Sequence, residues 1–263
     1  MKGVVVKLGG HALDSLEPGS EVLVALAQDV ASLTSGDAHV AIVHGGGPQI
    51  QSLLDAVGRE SLFHEGLRVT DADTMEFVAM GLSQVNLHLV AALNAGGLAS
   101  VGLSGVDRST LRATALGEPW GRAGASPKVD ADLIHLLWQH GLTPVISPLA
   151  VDESGELVNC NADSAAGAIA GALDATALVL LSDVDQLRRD ALDESSALAR
   201  VTGEEVRHLI DEGAVKDGMR PKMIAALDAL VGGARRVLVA NGTRPHALRD
   251  VLAGTAKQTE VVP

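Results

Sequence analysis

Residues 41–49, Ala-Ile-Val-His-Gly-Gly-Gly-Pro-Gln, restrict the possible folds more than any other stretch of this chain. A β-branched run ends in His44, three glycines follow, and Pro48 stands where a helix begins. The pattern predicts a strand, a glycine turn and a helix N-terminus. Glycine has no Cβ, so backbone N–H groups in such a turn can face a bound anion, and the helix adds its positive end. Pro48 suits a first helical turn. A tight turn between strand and helix has the same appearance without binding anything. The stretch is not a P-loop, because no Lys-Ser/Thr follows at the required spacing, and the G-x-G-x-x-G spacing is missing too. Residues 4–10, Val-Val-Val-Lys-Leu-Gly-Gly, are a second strand ending in glycines, and this one carries Lys7.

The remaining pattern repeats the alternation. Strand 3–8 precedes helix 20–35, whose Val22, Leu23, Leu26, Val30 and Leu33 recur at helical spacing. Strand 39–43 and helix 48–57 follow, which together imply a parallel sheet covered by helices. Thr70 and Asp73 form an expected capping box for a helix reaching about Asn94. Strand 98–103 comes next, then short antiparallel strands within 111–126, helix 130–140 and strand 143–148. Residues 149–159 predict a hairpin turning at 153–156. A small-residue helix from about Asn161 to Leu173 allows close backbone packing. Strand 176–181 then ends in Ser182-Asp183, and loop 184–201, polar and charged, is expected to be mobile. Thr202 and Glu205 form a second capping box. Helices 203–212 and 219–231, strand 235–240, helix 245–253 and a short strand complete the chain, with a domain boundary expected near 175.

The chain has 263 residues, 47% hydrophobic but only 2% aromatic, so its core must be built from Ala, Val, Leu and Ile. A net charge of −13 argues against non-specific binding to nucleic acid or anionic membrane. The single cysteine, Cys160, excludes an internal disulfide and fits a reducing compartment. No signal-peptide pattern and no apolar run approaching about 18 residues is evident, which predicts a soluble cytoplasmic protein that binds neither membrane nor nucleic acid.

Several residues could carry chemistry. Lys7, in an apolar strand, marks either the carboxyl edge of the sheet, where α/β ligands bind, or an exposed strand end. Lys222 stands at a helix entry and could simply be solvated. Asp163 could act only on its helix dipole, Arg68 could be a surface residue, and Asn159 and Asn161 could be turn residues. His44 is expected to be packed or hydrogen-bonded, since nothing near it suggests a nucleophile. None of the His residues pairs with the cysteine at metal-ligand spacing.

Together, Val-Lys-Leu-Gly-Gly (6–10), Val-His-Gly-Gly-Gly (43–47), Gly-Leu-Arg-Val-Thr (66–70), Asn-Cys-Asn-Ala-Asp (159–163), Leu-Leu-Ser-Asp-Val (180–184) and Asp-Gly-Met-Arg-Pro-Lys (217–222) resemble the amino acid kinase family in order and spacing. Segments 66–70 and 159–163 narrow the resemblance to the branch acting on acetylglutamate. The resemblance implies an α/β fold, a three-layer αβα sandwich around an open, mainly parallel sheet. It further implies transfer of phosphate from Mg-ATP to the γ-carboxylate of N-acetyl-L-glutamate, in arginine biosynthesis. Residues 1–175 would hold the amino acid and the subunit contact, and 176–263 the ATP. Lys7 and Lys222 would stabilise the transition state, with Asp163 orienting them. Gly10, Gly45 and Gly46 would offer amides to the phosphoryl group, while Arg68 and Asn159 would hold the acetylglutamate. Gly9, Ser182, Asp183, Val184, Leu187, Ala214, Lys216 and Met219 would line the nucleotide site. Mg2+ would come with the nucleotide, and no protein metal site is implied. The arginine-inhibited hexameric members carry a helix ahead of the first strand. This sequence opens on the strand, which predicts an arginine-insensitive homodimer.

The chain departs from the family pattern at Asp107-Arg108, at Asp185-Gln186-Leu187 and at residues 122–126, Arg-Ala-Gly-Ala-Ser. The last lie near the acyl pocket, where a sister kinase acting on carrier-linked glutamate or aminoadipate would differ. A basic patch there would favour that alternative. The alternative of another class is a non-catalytic binding or regulatory protein on the same fold, against which Lys7, Asp163 and Lys222 together count.

Overall fold

A computed structural model of the chain describes residues 2–9, 13, 16–190, 192–215 and 218–263. In chain order the first elements are β1 (Lys2–Leu8), α1 (Glu21–Ser35), β2 (Ala38–His44), α2 (Gly47–Ala56), β3 (Phe63–His64), β4 (Leu67–Arg68), α3 (Ala72–Ala95) and β5 (Ser100–Ser104). There follow β6 (Leu111–Gly117), β7 (Gly121–Val129), α4 (Asp132–Gln139), β8 (Thr143–Ser147), β9 (Leu149–Val151), β10 (Leu157–Cys160) and α5 (Ala162–Ala172). The chain continues with β11 (Ala177–Ser182), β12 (Leu187–Arg188), β13 (Ala197–Leu198), β14 (Arg200–Thr202), α6 (Gly203–Asp211), α7 (Met219–Val231), β15 (Val237–Asn241), α8 (Ala247–Ala253) and β16 (Gln258–Val262).

Eight strands form one sheet in the order β14-β16-β15-β11-β1-β2-β8-β5. The six from β15 to β5 run parallel, and β16 is antiparallel to β15. Because side chains alternate across a strand, Val4, Val6 and Leu8 meet α1, α3 and α8 on one face, whereas Val5 meets α4, α5 and α7 on the other. Burial on both faces explains the continuous apolar runs of the parallel strands. The result is the expected αβα sandwich. Strands β6, β7, β9 and β10 close into a small four-stranded barrel beside the main sheet. The expected antiparallel pair within 111–126 and the hairpin at 149–159 both lie in it.

Two local expectations are corrected. Asp71, not Thr70, caps α3: its side chain accepts from the Thr74 amide. Thr70 is turned inward and donates to the Arg68 carbonyl at 2.8 Å. Second, α3 spans 24 residues, and an 18-residue stretch of it has a mean hydropathy of 1.3, long and apolar enough by length and composition to cross a membrane. Polar residues interrupt any unbroken run, but Ala, Leu, Val and Met keep the average high. Val78, Val85, Leu89 and Leu93 of this helix are buried in the protein core. Thr202 and Glu205 form their capping box as expected. Loop 184–201 contains the short pair β12–β13 and runs into β14 at the sheet edge.

Candidate active site

Parallel strands β1, β2 and β11 end side by side, and the first cleft opens at that edge. Lys7 is the penultimate residue of β1 and shares the face of Val5, towards α5. Asn161 caps α5 by accepting from the amides of Asp163 and Ser164. Asp163 is thereby held in the first helical turn, facing β1. Its Oδ1 lies 2.8 Å from Lys7 Nζ and its Oδ2 lies 3.6 Å from Lys222 Nζ. Lys222, in the first turn of α7, also donates to the Gly218 carbonyl at 3.2 Å. Lys7 and Asp163 are only 6% and 5% exposed. Burial alone would push the Asp163 carboxyl up, but the two ammonium groups outweigh it and hold it below the ordinary carboxylate range. Two cations around one anion leave a net positive centre inside an acidic protein. Gly9 is needed here, because a Cβ on it would occupy the place of the Lys7 ammonium.

The glycine turn forms the next wall. The Gly45 amide donates to the Leu8 carbonyl at 2.9 Å, tying β2 to β1. Its single N–H is therefore engaged, and the expectation that it serves an anion is corrected. The Gly46 amide donates to no group among the described residues, and Gly46 lines the cleft. A Cβ on Gly46 would come within 2.9 Å of Leu82 Cδ2, so the Leu82 side chain would have to shift to admit one.

Arg68 enters the same cleft, of about 470 Å³, from β4. It is 8% exposed, and burial lowers its pKa, with the Asp55 charge opposing. Its guanidinium donates to Ser61 Oγ, to Gln51 Oε1 at 3.4 Å and to the Gly47 carbonyl at 3.3 Å, and its central carbon lies 4.7 Å over the Phe63 ring. Among the described residues no carboxylate forms an ion pair with it. An arginine is always charged, so among the described residues this buried cation has neutral hydrogen-bond partners. Asn159, on β10, donates its amide to Thr70 Oγ1 at 3.1 Å and lines the cleft near Arg68. Cys160 lies beside it, with its thiol pushed up to about 12 by burial, outside the reactive range.

A second cavity, of about 800 Å³, lies beyond the end of β11, and Asp183, Val184, Leu187, Ala214 and Met219 are in its wall. The first turn of α7 joins the two spaces. Met219 lines the second cavity, and Lys222, one turn on, reaches the Asp163 of the first. Paired lysines at this junction, with the Gly46 amide in the first cleft, can stabilise charge on a group passing between anions.

The sequence pattern of the amino acid kinase family matches residues 2–241. The chain belongs to the amino acid kinase family. It is 41% identical to acetylglutamate kinase of Symbiobacterium thermophilum over 257 residues, covering 94% of this chain and 86% of that one. It is also 41% identical to acetylglutamate kinase of Brevibacillus brevis over 265 residues, 99% of this chain and 97% of that one. Among solved structures, smu.665 from Streptococcus mutans UA159 superposes with a TM-score of 0.80 at 26% identity, covering 91% of this chain and 94% of that one.

In this amino acid kinase, Lys7, Gly9, Gly45, Gly46, Arg68, Asn159 and Asp163 all line the first cleft, so Gly9 sits with Lys7 rather than in the second cavity. Ser182 is buried at the end of β11 and accepts from the Val184 amide, shaping the turn instead of lining the cavity. Gly10 and Lys216 lie outside the described residues. Sequence reading did not single out Gln51, Ser61 and Phe63, which hold the Arg68 side chain, or the inward role of Thr70. Their spacing carries no signal, because they become neighbours only through the fold.

Proposed function

We propose that the chain transfers the γ-phosphoryl group of Mg-ATP to the γ-carboxylate of N-acetyl-L-glutamate, giving N-acetyl-L-glutamyl 5-phosphate, the second step of arginine biosynthesis. The observation that carries this reading is Asp163 bridged by Lys7 and Lys222 at the junction of two cavities. A carboxylate nucleophile is already ionised at pH 7 and needs no general base. The barrier is the approach of two anions and the charge spread over the phosphoryl oxygens, so positioning and electrostatics dominate. The two lysines supply the charge, the Gly46 amide supplies a donor, and Asp163 keeps the lysines from repelling each other apart. Arg68, which forms no ion pair with a carboxylate among the described residues, suits the α-carboxylate of the acetylglutamate by a bidentate contact. Asn159 faces the remaining polar end.

The second cavity would take the nucleotide, with residues 1–175 serving the amino acid and 176–263 the ATP. Mg2+ would come with the ATP phosphates, a common arrangement for this reluctantly dehydrated ion. A homodimer fits the exposed Met80 and Leu87 on α3, and light scattering at micromolar concentration tests it. The carrier-linked alternative would need a cation near residues 122–126. Arg122 instead pairs with Asp152 and Glu156, at 2.9 Å each, so its charge is already matched.

The test is ADP release with Mg-ATP and N-acetyl-L-glutamate, run beside L-glutamate and N-acetyl-L-aspartate, with Lys7→Ala as the control. Turnover confined to acetylglutamate and lost in the variant is expected. A folded wild type that ignores acetylglutamate would overturn the reading.

A further inference from the structure

His44 is a fully buried, 0% exposed titratable side chain that the chemistry above leaves unused, although it stands directly before the glycine turn. Its Nδ1 lies 2.8 Å from the Gly45 carbonyl, and its Nε2 lies 3.0 Å from Asn86 Nδ2. A carbonyl only accepts, so Nδ1 must carry the ring proton. The Asn86 amide nitrogen only donates, so Nε2 must be bare. Asn86 cannot reverse its amide, because the same nitrogen donates to the Val145 carbonyl at 2.9 Å and lies 3.3 Å from that of Leu103. Gly102 leaves the room that Asn86 Oδ1 fills, since a Cβ there would overlap it. Both sides of the ring therefore require one tautomer, and α3, β5 and β8 together enforce it.

The consequence lies one bond further on. The Gly45–Gly46 peptide is trans, the cis bond of the described chain being Glu118–Pro119. In a planar trans peptide the C=O and the following N–H point in opposite directions. A carbonyl held towards His44 therefore turns the Gly46 N–H away from the ring. That N–H finds no acceptor among the described residues, and Gly46 lines the cleft beside Lys7. We infer that His44, locked by Asn86, is a positioning residue that aims the Gly46 amide at the transferring phosphoryl group. Glycine turns are soft, and a preorganised donor acts only if it need not reorient during the reaction. The inference rests on the phosphoryl-transfer reading proposed above.

The experiment compares His44→Leu with His44→Asn, whose amide nitrogen can replace Nδ1. Removing one preorganised donor lowers kcat roughly 10²-fold, so H44L is expected to lose about that much while both KM values stay within about three-fold. H44N is expected to recover most of the loss. In the wild-type protein, 15N shifts of the His44 ring are expected to show a protonated Nδ1 and a bare Nε2. The Gly46 amide resonance is expected to move on adding Mg-ADP, aluminium fluoride and acetylglutamate. An unchanged kcat in folded H44L, an equal loss in both variants, or an Nε2–H tautomer would each overturn the inference. Should H44L fail to fold, the two wild-type resonances decide the matter. A wild type inactive on acetylglutamate would instead count against the proposed substrate, and the ring tautomer would still judge His44.

Discussion

Lys7 and Asp163 form a buried pair whose loss is felt in both chemistry and stability. Lys7→Ala removes charge at the reacting centre and should cost at least ~3 kcal/mol of transition-state stabilisation, by comparison with the loss of one preorganised donor. It also leaves the buried Asp163 with Lys222 alone, so the variant should unfold at lower urea as well. Comparing kcat with the urea midpoint separates the two effects, and full activity in a folded Lys7→Ala protein would remove Lys7 from the mechanism. His44 predicts a pH dependence of stability. Burial lowers its pKa from 6.5 to about 4, against a smaller opposing effect of the Gly45 carbonyl. Between those values the unfolded chain binds a proton that the folded one refuses. The stability is therefore complete above pH 6.5 and declines as pH falls towards 4, by up to about 3 kcal/mol. Denaturation of wild type and His44→Asn at pH 7 and at pH 4.5 checks this: the advantage of wild type should shrink at the lower pH, and a constant difference would contradict it.

Packing between whole elements turns on small residues. Helix α5 lies so close to α7 that a Cβ on Gly167 would come within 2.7 Å of the Ala225 carbonyl oxygen, and one on Gly171 within 2.9 Å of Gly232 Cα. Two effects oppose each other in Gly167→Ala. Alanine gains roughly 1 kcal/mol of helix propensity, while overpacking against backbone that cannot swing aside costs about 1–3 kcal/mol. The clash should win, lowering the urea midpoint, and the separation of α5 from α7 should rise with it. Since α5 carries Asp163 and α7 carries Lys222, activity should fall more than stability alone explains. A stabilised, fully active Gly167→Ala would show that the helices have room to part.

On the scale of the whole molecule, the sheet does not break where the chain's two halves meet. Strand β11 pairs with β1 from Val4↔Ala177 to Leu8↔Leu181, in the middle of the eight-stranded order. The proposed amino-acid and nucleotide parts thus share one sheet, and unfolding should be a single cooperative transition. Both tryptophans, Trp120 and Trp138, fall within residues 1–175, so their fluorescence reports that part while far-ultraviolet circular dichroism reports the whole. Coincident urea transitions are expected, and two separated ones would make the parts independent.

Much of this was legible in the residues themselves. Long apolar strands, periodic helices, the Thr202 cap and the small-residue helix follow from side-chain spacing, because periodicity expresses which face is buried. Two-residue strands such as β3 and β4 are too short to show a period, and the cap of α3 slipped by one residue because Thr70 was needed inside. Lys7, Arg68, Asn159 and Asp163 could be named from ordered motifs. That Gly45 has no amide to offer could not be, because hydrogen-bond partners are a property of the folded backbone. The sequence by itself determined the alternation, the strand ends and the residue types at the cleft, since these depend on local pattern. Only the tertiary structure decided that Asp163 lies between two lysines 215 positions apart, that Arg68 forms no ion pair with a carboxylate among the described residues, and that Asn86 reaches His44. Such contacts join positions far apart in the chain, and burial then sets their strength.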